Sequence, residues 1–218
     1  MANKRLPATV PVRKNIPPRQ QLAIRWAGAG EADYVHHLTR VQVGKLAAAA
    51  GKSRHGIRDE LLVLLLFDGC LRCSEALRVI RRDIESAGQG STIKIRGKGG
   101  EASLVAISPS LAQRLVDYAG SLEPAARLFP VSRPRAFQII AEAYERAHLP
   151  RPSRARDRVG TVHILRHSGA IERLRKTGNP KAVQDQLRHR SAAMTLRYMK
   201  TLSHDESLAI QQEVDFGW

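Results

Sequence analysis

The sequence predicts a mainly α-helical fold with one small antiparallel β-sheet, an α+β architecture, and three observations predict it. Apolar residues recur at helical spacing between recognisable caps over most of the chain. A single stretch, 91–107, switches to strict alternation on both sides of a glycine-rich turn. The length of 218 residues with 43% apolar content suits one full domain plus an appendage, and rules out a wholly disordered chain.

Residues 1–32 lack any sustained period. Lys4, Arg5, Arg13, Lys14, Arg19 and Arg25 stand among four prolines, with Glu31 the single acid; this segment is expected to be a basic arm, extended or flexible. Residues 33–218 form the folded domain. Thr39 and Gln42 have the spacing of a capping box, so a helix is expected over Val41–Ala50 and ends at Gly51. A second, deeply buried helix covers Gly56–Phe67, with Asp68-Gly69 as its stop, and a short third runs from Ser74 to Ile80. Ser91–Arg96 and Glu101–Ile107 alternate around Gly97-Lys98-Gly99-Gly100, the pattern of a β-hairpin with a lysine at its tip. Helices resume over Ser110–Ala119 and Arg135–His148, and 150–160 is a loop holding Arg151, Arg154, Arg156 and Arg158. The last third is helical again. His163–Lys176 stops at Gly178, Asn179-Pro180 starts a helix to Arg188, Ser191 opens one that carries Tyr198, and Ser203 with Glu206 caps a last helix over about 204–214.

Charge narrows the functional classes. Thirty-six Lys and Arg against 20 Asp and Glu leave a formal +16, a surplus that folding cannot neutralise internally. A polyanion is the expected partner, nucleic acid first. Arginine supplies 27 of the 36 cations, and its planar fork suits phosphate oxygens. The longest apolar run, Leu61–Phe67, falls far short of the roughly 20 residues a membrane helix needs. No N-terminal stretch reads as a secretory signal, and two cysteines make no disulfide framework. A cytoplasmic protein with no membrane partner is expected.

Taken singly, the candidate reactive residues are weak. Arg72 suits a salt bridge to Glu75, Lys98 suits a solvated turn, and His163, Arg166 and His167 share one helix face at i, i+3 and i+4. Together with His189 and Tyr198 they fall into a known order. Asp68-Gly69-Cys70-Leu71-Arg72-Cys73-Ser74-Glu75 resembles the first arginine box of the tyrosine recombinases, the phage integrase family. Lys98 resembles that family's hairpin lysine, and His163-Ile164-Leu165-Arg166-His167-Ser168 its histidine–arginine box. Leu187-Arg188-His189 followed by Thr195-Leu196-Arg197-Tyr198 resembles the segment with the last histidine and the nucleophilic tyrosine. The likeness runs from about Leu38 to Lys200.

The resemblance implies a site-specific recombinase or integrase that cuts and rejoins double-stranded DNA through a 3′-phosphotyrosyl intermediate. Tyr198 would be the nucleophile, Arg72, Arg166 and His189 would hold the non-bridging oxygens, Lys98 would protonate the leaving 5′-oxygen and His163 would assist proton transfer. The covalent link conserves bond energy, so no cofactor and no metal are expected. The family's assembly implies a homo-tetramer on two DNA sites, with the terminal helix passing to a neighbouring subunit or, alternatively, docking on its own domain. The family usually carries glycine where this chain has Cys70 and Arg188, which raises a question about the backbone at both. Most relatives also carry a helical core-binding domain ahead of the matched region. Only about 32 residues precede it here, as in short forms made of a catalytic domain alone, which leaves room for an accessory DNA-binding protein.

Other classes fit less well. Cys70-Leu71-Arg72-Cys73 is a C-x-x-C sequence, yet it follows an apolar helix rather than a strand and has no second ligand pair. A serine recombinase wants an early serine, and the first here is Ser53. A metal-dependent transposase needs a carboxylate cluster. A type IB topoisomerase would use nearly the same residues, and a DNA-binding regulator could keep the fold without catalysis.

Overall fold

The computed structural model describes residues 36–87, 90–96, 102–152, 159–189, 191–199, 201–202 and 204–212. The basic arm, the hairpin tip with Lys98, the arginines at 154, 156 and 158, the Ser203 cap and the chain beyond Gln212 lie outside the described residues.

Helix α1 (Arg40–Ala50) opens with the expected capping box: Gln42 N–H donates to Thr39 Oγ1, and Thr39 N–H to Gln42 Oε1. Helix α2 (Gly56–Asp68) buries Leu61, Leu62, Val63, Leu65 and Leu66. It lies at the centre of the molecule, against α1, α4 and α6. Helix α3 (Cys73–Ala76) is a single turn and does not reach Ile80. The reason is tertiary: Val79 C=O accepts from Leu128 N–H, and Ile80 forms an antiparallel bridge with Arg127. A 3-10 turn, Arg81–Asp83, follows.

The sheet has three strands rather than two. β1 (Ile84–Ala87), β2 (Gly90–Arg96) and β3 (Ala102–Ile107) pair antiparallel in that order, with Ile84 opposite Ile93 and Ile93 opposite Val105. Alternation sends Ile93, Ile95, Val105 and Ile107 into the core, close to Leu111 and Leu115 of α4 (Pro109–Ala119). Helix α5 (Arg133–Arg146) starts two residues before its expected N-terminus, because Ser132 accepts from Arg135 N–H and Pro134 fits the first turn.

Helix α6 (His163–Thr177) ends at Gly178, whose φ of 61° suits a residue without a side chain. Its middle presses on α2. A Cβ on Gly169 would lie 1.9 Å from Phe67 O, so only glycine allows that approach. Asn179 caps α7 (Pro180–Leu187) by accepting from Ala182 N–H. α8 (Ala192–Met199) and α9 (His204–Gln212) complete the described elements. In the single chain α9 lies on α6, with Glu206 2.8 Å from Arg175.

Two cores result. The larger joins α1, α2, the sheet, α4 and α5, whereas the smaller gathers Cys70, Ala170, Ile171, Leu174, Val183, Leu187 and Tyr198. Polar braces tie the α2 terminus to both. Arg173 donates to Asp68 O and to Asp68 Oδ1, and Asp68 Oδ2 accepts from Ser108 N–H. Gln186 accepts from Ala106 N–H and donates to Ala106 O, which fastens α7 to β3. Among the described residues, no helix is long and apolar enough to cross a membrane.

Candidate active site

Four separate segments converge beside the smaller core: the turn after α2, the first turns of α6, the end of α7 and the end of α8. Arg166 is at their centre and is only 2% exposed. Its Nη1 donates to Cys70 O at 2.6 Å and its Nη2 to Leu187 O at 2.7 Å. A guanidinium has five N–H donors, so these two bonds fix its plane and leave others to bind an anion. Burial pulls its pKa down to about 10, with Arg72 adding to the effect; it is still a cation near neutral pH.

Both carbonyls reach Arg166 because the chain turns left-handed beside them. Cys70 has φ 50° and Arg188 has φ 54°. These are the two positions at which the resemblance in sequence implies glycine. The backbone at both keeps a conformation that glycine adopts freely and other residues adopt at a cost of roughly 1–2 kcal/mol.

Glu75 is a shared counter-ion. As the N3 residue of α3 it accepts from Arg72 N–H at 2.8 Å, and its Oε1 accepts from Arg72 Nη1 at 2.8 Å. Its Oε2 also accepts from Arg188 Nη2 at 2.6 Å, with Arg166 Nη1 at 3.6 Å. Burial works to raise this carboxyl, but the Arg72 bonds and the Arg188 charge hold it below the usual range. The Arg72 side chain is half exposed, next to a cleft of about 460 Å3 walled also by Cys73, Arg133, Phe137 and His163.

Tyr198 is 3% exposed, and its hydroxyl lies 2.7 Å from His167 Nδ1. Burial pushes the phenol up to about 12, opposed by Arg166. Burial also drives His167 down to about 3, helped by His163, Arg166 and His189. The imidazole is therefore neutral. His163 meets the His167 ring edge-on, centroids 4.5 Å apart. The His189 ring stacks on Tyr198 at 6.3 Å, and its Nδ1 lies 3.2 Å from Thr195 Oγ1. Burial lowers His189 to about 4, with Arg166, Arg72 and Arg188 adding to the shift.

Of the six residues singled out from the sequence, Arg72, His163, Arg166, His189 and Tyr198 gather here, and Lys98 lies outside the described residues. Three further residues of this cluster carry a weaker signal in the sequence: His167 reads there as a neighbour on the His163 face, Glu75 as a partner of Arg72, and Arg188 as a departure from glycine. The two thiols of the C-x-x-C sequence differ in exposure, Cys70 being buried and Cys73 half-buried. Burial raises Cys70 to about 11 and raises Cys73 as well, which keeps both protonated near neutral pH. Among the described residues no group of three or more His, Cys, Asp or Glu is arranged to hold a metal ion.

Such a set, a phenol against a neutral imidazole beside clustered guanidiniums, can cleave a phosphodiester by covalent catalysis. The sequence pattern of the phage integrase family matches residues 36–204. The chain is 32% identical over 151 residues to the tyrosine recombinase XerC of Bradyrhizobium diazoefficiens, covering 65% of this chain and 45% of that protein. It is 35% identical over 153 residues to XerC of Methylobacterium nodulans, again covering 45% of the relative. The chain thus spans less than half the length of these curated relatives. In fold it is similar to the XerH site-specific recombinase bound to difH substrate (TM-score 0.65, 22% identity, covering 83% of this chain and 54% of that one). It is also similar to the catalytic domain of bacteriophage HP1 integrase (TM-score 0.57, 24% identity, covering 82% of this chain and 95% of that one).

Proposed function

Because this chain belongs to the phage integrase family, we propose that it is a site-specific DNA recombinase that cuts and rejoins strands through a 3′-phosphotyrosyl link. The observation that carries this reading is the meeting of Tyr198, Arg166, Arg72 and His189 from four distant segments around one small volume. The XerH site-specific recombinase of similar fold is bound to difH substrate, and the +16 charge of this chain suits a polyanion such as DNA.

The chemistry follows from the geometry. A phenol pushed up to about 12 does not ionise by itself near neutral pH, so attack on phosphorus needs a proton acceptor. His167 offers the nearest acceptor, a neutral ring whose Nδ1 lies 2.7 Å from the hydroxyl; the negative charge of a bound phosphodiester raises its proton affinity from the buried value. As the Tyr198 Oη–P bond forms, the P–O5′ bond breaks. The phenolic proton passes to His167, and the departing 5′-oxygen takes a proton from Lys98. Arg166, Arg72 and His189 offset the charge that builds on the two non-bridging oxygens. Rejoining is the reverse, with the 5′-hydroxyl attacking the phosphotyrosine, so no external energy source is required. His163, whose ring packs edge-on against that of His167, assists proton transfer in this reading.

The working assembly in this reading is a homo-tetramer on two DNA sites in the cytoplasm, and an accessory DNA-binding protein could strengthen the grip. The relatives above are recombinases and an integrase, which favours strand exchange over DNA relaxation. The test is incubation with nicked suicide duplexes drawn from DNA that flanks the chain's own coding sequence. A covalent protein–DNA adduct on a denaturing gel is the expected result; its absence on every such duplex would overturn the reading.

A further inference from the structure

Arg188 occupies a position that calls for glycine, and its backbone explains nothing about why an arginine stands there. The left-handed turn at φ 54° aims Leu187 O at Arg166, and glycine would make that turn with less strain. What an arginine adds is its side chain. Only 17% exposed, it runs back across the site to donate from Nη1 to Gln186 O at 3.1 Å and from Nη2 to Glu75 Oε2 at 2.6 Å. That oxygen is the one Arg166 faces at 3.6 Å.

We propose that Arg188 is a positioning residue for strand cleavage: it occupies Glu75 Oε2, so that Arg166 is kept for the scissile phosphate instead of being drawn onto the carboxylate. This rests on the recombinase reading above. Without the Arg188 side chain, Oε2 would retain Arg72 N–H and attract the nearest remaining cation, which is Arg166. The local charge would change as well. Three guanidiniums on one carboxylate leave two net positive charges beside the phosphodiester; removing Arg188 leaves one. Both effects act on the transition state, in which the non-bridging oxygens carry more negative charge than in the bound substrate. The rate of the chemical step should therefore suffer more than DNA affinity.

Stability and activity should part in the variants, which separates positioning from a merely structural role. Arg188→Gly relaxes the left-handed backbone, which offsets part of the lost ion pair, and Glu75 keeps Arg72 and Arg166 beside it, so the variant is expected to stay folded at the assay temperature. Its single-turnover cleavage of a suicide duplex at saturating protein should nevertheless fall about tenfold or more, the scale for a displaced reacting group, while the duplex dissociation constant changes less than threefold. Arg188→Met, which keeps bulk and loses charge, should cleave as slowly as the glycine variant. Arg188→Lys keeps a donor within reach of Glu75 and should recover a substantial part of the rate. Cleavage by Arg188→Gly within twofold of wild type would overturn the proposal, as would a lysine variant no faster than the methionine one. If wild type itself yields no adduct, the recombinase reading falls and this proposal falls with it, an outcome visible in the control lane alone.

Discussion

The Tyr198 hydroxyl and Nδ1 of His167 lie 2.7 Å apart, and burial keeps both groups uncharged, the phenol at about 12 and the imidazole at about 3. In the recombinase reading proposed above, the phenolic proton would leave only as the oxygen bonds to phosphorus, so substrate would have to be present before this pair changes its charge.

Tyr198→Phe removes one oxygen and leaves the ring in the smaller core. Covalent adduct on a suicide duplex should vanish, while affinity measured by gel shift should change by less than about twofold, since an uncharged buried hydroxyl contributes nothing to counterion release. Adduct formation by this variant would remove Tyr198 from the mechanism.

His167→Gln retains hydrogen-bonding capacity but has no ring nitrogen that could take the phenolic proton. Cleavage should slow by about a hundredfold or more, within the range for losing a general base. His163→Gln, one helical turn earlier, should slow it less. Single-turnover rates for the two variants, measured side by side, rank the histidines; the reverse order would transfer the base role to His163.

The same burial has a signature in stability. A free histidine titrates near 6.5, whereas folded His167 is held to about 3 and His189 to about 4. Below pH 6.5 the unfolded chain therefore binds protons that the folded chain refuses. The contribution is complete above about pH 6.5 and is lost as the pH falls toward the folded values. For His167 the loss between pH 7 and pH 5 approaches about 2 kcal/mol; the more open His189 adds less. Urea midpoints at the two pH values should converge in His167→Gln relative to wild type.

Glu75→Gln keeps the shape of the shared counter-ion and removes its charge. Arg166, Arg72 and Arg188 would then face one another with no carboxylate between them. Breaking a buried pair from one side costs about 3 kcal/mol or more, and thermal or chemical unfolding should report a loss of that size.

Tyr144 offers the opposite case. Its ring is fully buried in the larger core and its hydroxyl has no hydrogen-bond partner among the described residues. Tyr144→Phe removes an unpaired polar group at almost no change in volume, so denaturant midpoints should rise by the equivalent of about 1 kcal/mol.

Much of this arrangement was legible in the sequence because it is local. The Thr39–Gln42 box, the Asn179 cap and the apolar spacing of α2 are set by neighbours within one turn. What escaped is set from far away. Residues 77–80 leave the helix because Leu128 and Arg127 engage them, and β1 is a strand because Ile84 finds Ile93. The site follows the same division. Spacing alone puts His163 and His167 on one face, but only the placement of α8 decides which of them meets the phenol. Likewise Glu75 is a plain i, i+3 partner of Arg72 until α6 and the end of α7 bring Arg166 and Arg188 to it from 91 and 113 residues away.

The bond pair between Gln186 and Ala106 has a consequence for crowding. A three-stranded sheet leaves a row of main-chain donors and acceptors along each outer strand, and such rows invite a strand from another molecule. At Ala106 the N–H and the C=O are both taken by one side-chain amide, with Arg173 on the same carbonyl. An incoming strand would have to displace all three bonds before it could begin to zip. When many copies are crowded together, this outer strand is blunted at that residue against edge-to-edge growth.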